Sequence, residues 1–247
     1  MIRAIEKAVP DYDFVNERVS LGLAQKTRKF AVDQLKLSNG TLVLDAGIGP
    51  GTMSETILGR KNDLSVVGFD ASTVLLRAAR ERLGDHHDRR MHFVRGAFEA
   101  LPFKSSCFPR IVSAYAFRDT RNRNVAIDEF YQATTEDGVF VIVDLGKPEN
   151  CFRRALISIY VRHIVPFISR LSMSRAIDGN PWSMIFPTYR VLPSNRALVG
   201  FLNERFSNVD ITEFALGGMI VVLAKKSQST RSVQWKITSL IQTLLSF

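Results

Sequence analysis

The sequence predicts an α/β architecture: a Rossmann-like, doubly wound sheet of seven strands, mostly parallel, with an antiparallel last strand. Three observations predict it. Short apolar runs alternate with helical stripes from residue 41 to 143, and a parallel sheet buries such runs on both faces. The first run, Leu42-Val43-Leu44, breaks into glycines at 47, 49 and 51 before a helix-like segment opens at Thr52. The last two runs, 208–214 and 219–224, flank Gly217-Gly218 as an antiparallel pair would.

The elements follow in order. Residues 1–40 precede the first strand, and over 16–37 Val19, Leu23, Phe30, Ala31 and Leu35 follow one helical stripe with Lys and Arg between them. Tyr12 and Asn16 are four apart and share one face of a turn, as ligand contacts or as a docking segment for the helix. Strands are expected over 41–46, 64–69, 91–95, 110–114 and 139–143, with helices over 52–59, 72–83 and 122–134 and a turn at Asp137-Gly138. Residues 84–90 read as a polar loop. His86 and His87 adjoin acidic neighbours there but lack the spacing of a helical metal pair, so no metal is expected. Residues 145–206 form an insertion over the strand tips. Its basic, apolar-rich stretch 150–171 is expected as a helical lid kinked at Pro166. The main domain thus spans 1–226, and 227–247 is an amphipathic tail that docks on the body or lies on a membrane surface.

The ligand is read from the residues around the glycines. Their spacing, G-x-G-x-G, is not the G-x-G-x-x-G that fits a pyrophosphate, and no Lys-Ser/Thr follows to make a P-loop. Bare backbone at Gly47, Gly49 and Gly51 still brings N–H groups against a ligand. Asp45, at the first strand end, would repel a pyrophosphate but attract the ammonium of an amino acid. Asp70, at the second strand end, can accept both ribose hydroxyls. A ribose at one end and a cationic amino acid at the other describe S-adenosyl-L-methionine; a nicotinamide-binding turn is the rival. Ala97 and Phe98, after the third strand, can sandwich an adenine ring, or Phe98 and Phe103 can plug the core.

Composition narrows the partners. A net charge of +9 favours nucleic acid, acidic lipid or acidic substrates, or merely solubility. Cys107 and Cys151 are too few for a disulfide framework or a zinc site, which fits a reducing compartment. No leader is recognisable and no apolar run reaches about 18 residues, so a cytoplasmic chain, at most peripheral to the inner face of a membrane, is expected.

Several motifs together identify a family. Tyr12-Asp13-x-x-Asn16, Ser20-x-Gly22, the glycine loop, Glu99-Ala-Leu-Pro-Phe103, Phe117-Arg118 and Asp144-x-x-Lys147-Pro148 occur in this order in the UbiE/MenG-type C-methyltransferases of ubiquinone and menaquinone biosynthesis. The chain resembles that family over about 10–226, through Tyr160, His163 and Pro166 in the lid, then Arg190, Pro193 and the Gly218 hairpin. The resemblance implies a class I methyltransferase whose donor site uses Asp45, Gly47, Gly49, Gly51, Asp70 and the backbone around Ala97, Phe98 and Ala114. It implies a quinol site built from Tyr12, Asn16, Arg118, Asp119, Tyr160 and His163. The chain departs from the family in having Arg118-Asp119 for Arg-Asn, Gly49-Pro-Gly-Thr52 for Gly-Thr-Gly-Asp, and Ala97-Phe98 for Asn-Ala.

The implied chemistry is C-methylation of a phenolic ring. A ring carbon becomes nucleophilic when the neighbouring hydroxyl loses its proton, and a phenol titrates near ~10. Arg118 cannot be the base, because a guanidinium stays charged; it is expected to stabilise the phenolate, unless it serves only in a salt bridge to Asp119 or Asp144. His163 or Asp119 is the expected proton acceptor, with Tyr12, Asn16 and His163 positioning the ring oxygens. The expected acceptor is a small lipophilic prenylated quinol, demethylmenaquinol foremost. The alternatives are another lipophilic phenol, sterol or polyketide, a nucleic acid, or a non-catalytic scaffold. No nucleic-acid pocket of the Asn-Pro-Pro-Tyr type is present, so no nucleic-acid partner is expected. Basic lid and tail suggest peripheral membrane contact, and a homodimer is left open.

Overall fold

The computed structural model describes residues 6, 8–87, 89–173 and 180–227; the expectations for the amphipathic tail lie outside them. The strands are β1 (Leu42–Ala46), β2 (Ser65–Asp70), β3 (Met91–Arg95), β4 (Phe108–Ala114), β5 (Thr134–Leu145), β6 (Asn208–Phe214) and β7 (Met219–Lys225). They form one sheet in the order β3-β2-β1-β4-β5-β7-β6. The first five are parallel, and β7 runs antiparallel to both β5 and β6. Chain order reverses between β1 and β4, and that switch opens a crevice beyond their carboxyl ends.

The period of a strand divides the core in two. Val139, Val141 and Val143 of β5 face one side, where they pack with Val43 and Val112. The helices α2 (Leu23–Gln34), α3 (Thr52–Leu58) and α4 (Thr73–His87) cover that side through Ala31, Val32, Ile57, Ala79 and Leu83. Phe140 and Ile142 face the other side with Leu44 and Ile111. There α5 (Arg123–Ala133) supplies Ile127 and Phe130, and a later helix over Asn195–Asn203 supplies Leu198 and Leu202. Both faces of the central strands are thus dry, and the tips of those strands are where polar groups surface.

Four expectations change in detail. The single N-terminal helix is two, because α1 (Tyr12–Val19) stops at Leu21 and Gly22, both left-handed at φ 52° and 80°. Ser20 Oγ then accepts from the Ala24 N–H at 3.0 Å and restarts the helix as α2. The polar loop is shorter than expected, since α4 runs through His87. Asp137-Gly138 is not a turn before a strand but an irregularity inside one: Phe108 pairs with Thr134 while Arg110 pairs with Val139, and Asp137 takes φ 61°. The extra residues bulge and the ladder resumes.

The lid deforms before its proline rather than at it. It consists of α6 (Cys151–Ile159), a π-helical turn over Tyr160–Ile164 and α7 (Val165–Ser172). Pro166 has no N–H to give to the turn beneath it, and the Val165 N–H reaches back five residues to the Tyr160 carbonyl. A further helix, α8 (Ile185–Val191), closes the lid, and α9 (Asn195–Asn203) returns the chain to the sheet.

Candidate active site

Two cavities meet at the switch point. The first, of about 210 Å³, lies over the tips of β1, β2 and β4 and is lined by Gly47, Gly49, Asp70, Ala97, Phe98 and Ala114. The loop is tied down by the strand below it: the Gly49 N–H donates to Asp70 Oδ2 at 3.0 Å, and the Ser72 N–H donates to Oδ1 at 2.9 Å. Burial raises the Asp70 carboxyl above its usual range. Gly47 is required by space as well as by its φ of 76°, since a Cβ there would fall 2.2 Å from that of Ala116 and 3.1 Å from Phe98 Cζ. Phe98 lines the cavity and also packs on Phe69 and Phe130 at 6.2 and 5.2 Å, so lining and plug are one role. Phe103 serves the core alone, against Phe69 and Phe108.

Two residues of the loop motif stand back from this cavity. Gly51, at φ 95°, lets α3 start against α4, and a Cβ there would lie 3.0 Å from Leu83 Cδ1. Asp45 is fully buried and lines neither cavity. Its Oδ2 accepts from Ser54 Oγ at 2.6 Å, while Oδ1 has no partner. Burial, against the Ser54 hydrogen bond, pushes its carboxyl up to about 7.

The second cavity, of about 460 Å³, lies under the lid. Leu156, Ile157, Tyr160, Val161 and Val165 line it from the bent lid helix, and Ala215, Leu216, Gly218 and Met219 of the β6–β7 hairpin line it from the sheet. Tyr12 and Asn16 reach it from the single face of α1, as their spacing requires. Asn16 Oδ1 accepts from Trp182 Nε1 at 2.9 Å, and the Tyr160 hydroxyl donates to the Val19 carbonyl at 3.1 Å, so both also hold α1 against the lid. Its mouth is rimmed by Leu21, Leu156 and Leu216, which are 71%, 42% and 57% exposed.

One cation is built into the wall of this apolar space. Arg118 lies in a 3-10 turn after left-handed Tyr115, and its side chain is 7% exposed. Its backbone N–H donates to Asp144 Oδ2 at 2.8 Å, and its Nη1 donates to Asp144 Oδ1 at 3.0 Å and to the Tyr115 carbonyl at 2.6 Å. Its Nε has no hydrogen bond and stands 4.0 Å from Asp119 Oδ1, which is likewise unpartnered. Burial opposes the guanidinium charge, but the carboxylates of Asp144 and Asp119 outweigh it and raise the pKa. The structural ion pair and the cavity-lining cation are therefore the same side chain. Asp119 itself lines the smaller cavity, and burial, against the pull of Arg118, raises its carboxyl.

His163 stays apart. It is exposed and lines neither cavity, because it falls on the outer side of the π-helical turn. Conversely, three residues line both cavities: Tyr12, Arg28 and Tyr115. Sequence reasoning missed the last two. Arg28 was one basic residue among several on a helix, although its place between Phe30 and Ala24 was a signal. Tyr115 stood at a strand tip, where ligand contacts collect. Its hydroxyl lies 2.6 Å from Thr27 Oγ1, and burial pushes its pKa up to about 12. Among the described residues no cluster of three or more metal-ligating side chains occurs.

Comparison with known proteins places this geometry. Residues 3–226 match the ubiE/COQ5 methyltransferase family. The chain is 27% identical over 220 residues to the "Ubiquinone/menaquinone biosynthesis C-methyltransferase UbiE" of Coxiella burnetii (strain CbuK_Q154), covering 88% of this chain and 86% of that one. It is 29% identical over 217 residues to the protein of the same name from Geotalea uraniireducens (strain Rf4), covering 86% and 90%. In fold it resembles a SAM-dependent methyltransferase from Aquifex aeolicus, with a TM-score of 0.54 at 14% identity over 80% of this chain and 88% of that one. The match over nearly the whole described chain shows that this S-adenosylmethionine-dependent enzyme belongs to the ubiE/COQ5 methyltransferase family.

Proposed function

We propose that the enzyme methylates a ring carbon of a prenylated quinol, demethylmenaquinol first among them, in quinone biosynthesis. The observation that carries this reading is the apolar cavity under the lid with a permanently charged guanidinium in its wall, separated from the donor cavity only by Tyr12, Arg28 and Tyr115. The names of the relatives point to quinone substrates, and the exposed leucines at the mouth give a prenyl chain a way out. A cavity of about 460 Å³ suits a bicyclic ring and the first part of its chain, with the remainder outside.

The residues present fit the donor. Asp70 keeps lone pairs for ribose hydroxyls, Phe98 offers a ring to the adenine, and Gly47 leaves a cradle that a Cβ would fill. When bound, the sulfonium supplies an electrophilic methyl group that needs no further activation. Everything else falls to the chain. Arg118 stabilises the phenolate that makes the ring carbon nucleophilic, in a site with little water to screen the charge. Asp119, whose Oδ1 is free of hydrogen bonds 4.0 Å from Arg118 Nε on the side of the smaller cavity, takes the phenolic proton, since burial raises its pKa and His163 faces away. Tyr12 and Asn16 set the ring in the plane of attack, and the lid keeps water out.

The same reading covers the outer surface. No helix among the described residues is long and apolar enough to cross a membrane. The lid nonetheless exposes Phe152, Ile159, Phe167 and Leu171 beside Arg153, Arg162 and Arg170. An apolar ridge with a basic border rests on an anionic bilayer, where a prenylated substrate resides. The test is an anaerobic assay with labelled donor and demethylmenaquinol in mixed micelles. The reading requires label on a ring carbon of the product. Label on oxygen, or none with the reduced quinol while the donor binds, sinks it.

A further inference from the structure

Backbone strain in this fold collects at one place. Among the described residues seven non-glycines take a positive φ, and four of them, Leu21, Tyr115, Ala215 and Leu216, line the cavity under the lid. A left-handed backbone crowds Cβ against the following carbonyl, which makes a leucine an outlier there. Leu21 and Leu216, at φ 52° and 59°, carry that cost and are exposed at the mouth as well. Strain of this kind persists only where the surroundings enforce it, and it clusters at ligand clamps.

Each leucine has its own lock. After α1 the Gly22 N–H donates to the Glu17 carbonyl at 2.9 Å, and the Leu21 N–H donates to that of Arg18 at 3.2 Å. This pair of bonds ends many helices, but here leucine fills the left-handed position that glycine normally takes. At the β6–β7 tip Ala215, Leu216 and Gly217 are left-handed in succession, at φ 47°, 59° and 90°. The buried Asn195 side chain pins that turn: its Nδ2 donates to the Gly217 carbonyl at 3.0 Å and to Glu213 Oε1 at 2.6 Å. Its Oδ1 accepts from the Lys147 N–H at 2.6 Å, which ties the turn to the end of β5. Side chains carried on turns fixed in this way lose little freedom when they grip a ligand.

We propose that Leu21 and Leu216 form a collar that reads the isoprenoid chain of the acceptor where it leaves the cavity, and so set the preference for a prenylated over a bare ring. The inference rests on the quinol reading above and adds the residues that select the chain. The occupant follows from continuity: the collar extends the apolar wall of Leu156, Ile157 and Val161, and a chain attached to a ring beside Arg118 has to pass the mouth. Two aliphatic tips recognise a hydrocarbon by the area they remove from water, with no polar contact required.

Steady-state kinetics of the full chain at a fixed detergent concentration tests this, with naphthoquinols bearing no, one, two or four isoprenoid units. Wild-type kcat/KM should rise by at least about tenfold from the bare ring to two units and then level off, since further units lie beyond the collar. Asparagine adopts a left-handed backbone more readily than leucine, so Leu21→Asn with Leu216→Asn keeps the turns and removes the apolar tips. The double variant should compress the rise to below about threefold, through KM for the prenylated acceptors. A rise retained in full, or an equal loss on every acceptor, overturns the proposal, as does a wild type indifferent to the chain. A rise lost only when the acceptor is embedded in vesicles also overturns it, because the leucines then touch the bilayer. If the double variant does not fold, Leu216→Asn decides, and an unchanged rise there overturns it. A wild type that binds the donor but turns over none of the four quinols overturns the acceptor reading itself.

Discussion

Arg118 and Asp144 form a buried pair in which one carboxylate accepts both from the Arg118 backbone, at 2.8 Å, and from its guanidinium, at 3.0 Å. The pair joins the turn after β4 to the end of β5. It sets the direction of the guanidinium and keeps it charged. Preorganisation of this kind is what makes an electrostatic group effective at a developing oxyanion. It also makes the residue structural, with consequences for any substitution there.

Asp144→Ala should therefore cost about 3–5 kcal/mol, the usual effect of stranding one member of a buried pair. Asp144→Asn should cost less, since an amide oxygen can still accept from the Arg118 N–H. Denaturant unfolding of both variants measures the difference, and equal costs would show that the carboxylate charge is not what holds the turn.

The two outer glycines of the loop should fail differently. Gly47→Ala places a methyl 2.2 Å from that of Ala116, inside the donor cavity wall, and should abolish donor binding. Gly51→Ala meets Leu83 and Ala79 at 3.0 and 3.4 Å, away from the cavity. Its left-handed φ of 95° makes a cost of about 1–3 kcal/mol in stability the expectation, with donor affinity less affected than in Gly47→Ala. Melting and donor titration on the same samples separate the two.

Asp45 links stability to pH. Its carboxyl moves from 3.8 unfolded to about 7 folded, chiefly by burial. The folded state then holds the proton more tightly, so this stabilising contribution is complete below pH 3.8 and is lost as pH rises through about 7. In the donor-free protein Asp45→Asn should flatten the fall in stability across that window, leaving the smaller slopes of Asp70 and Asp119. A wild-type slope kept in full by Asp45→Asn would contradict it.

The lid ridge can be tested apart from chemistry. Phe167→Ser with Leu171→Ser removes two exposed apolar side chains, each contributing on the order of 1.5–3 kcal/mol when buried in lipid. Binding to vesicles containing anionic lipid should fall by at least about tenfold. Turnover of a short-chain quinol in detergent should stay unchanged. Undiminished vesicle binding would place any membrane contact elsewhere.

Much of this was legible in the sequence, and the losses have physical causes. Gly47, Gly49, Asp70, Ala97, Phe98 and Ala114 could be placed because a parallel sheet puts every βα junction on one edge. Asp45 and Gly51 share that motif but serve the packing of α3, a distinction that spacing does not carry. Arg28 and Tyr115 were missed because a buried unpaired cation and a left-handed tyrosine both run against residue preference and arise from tertiary contact. His163 was assigned to the quinol site through the family resemblance, which carries no information on helix phase. A π-helical turn changes the phase of everything near it, and Pro166 signals the disruption without its form.

The central claim is that the Arg118 charge serves the acceptor and not the donor. The decisive measurement is quinol kcat/KM and donor Kd on the same preparations of wild type and Arg118→Lys. A lysine retains charge but loses the fork that reaches Asp144 and the cavity together. We predict a fall in kcat/KM of at least about 100-fold, with donor Kd within about threefold of wild type. A matching loss of donor affinity, or wild-type turnover, would contradict the account.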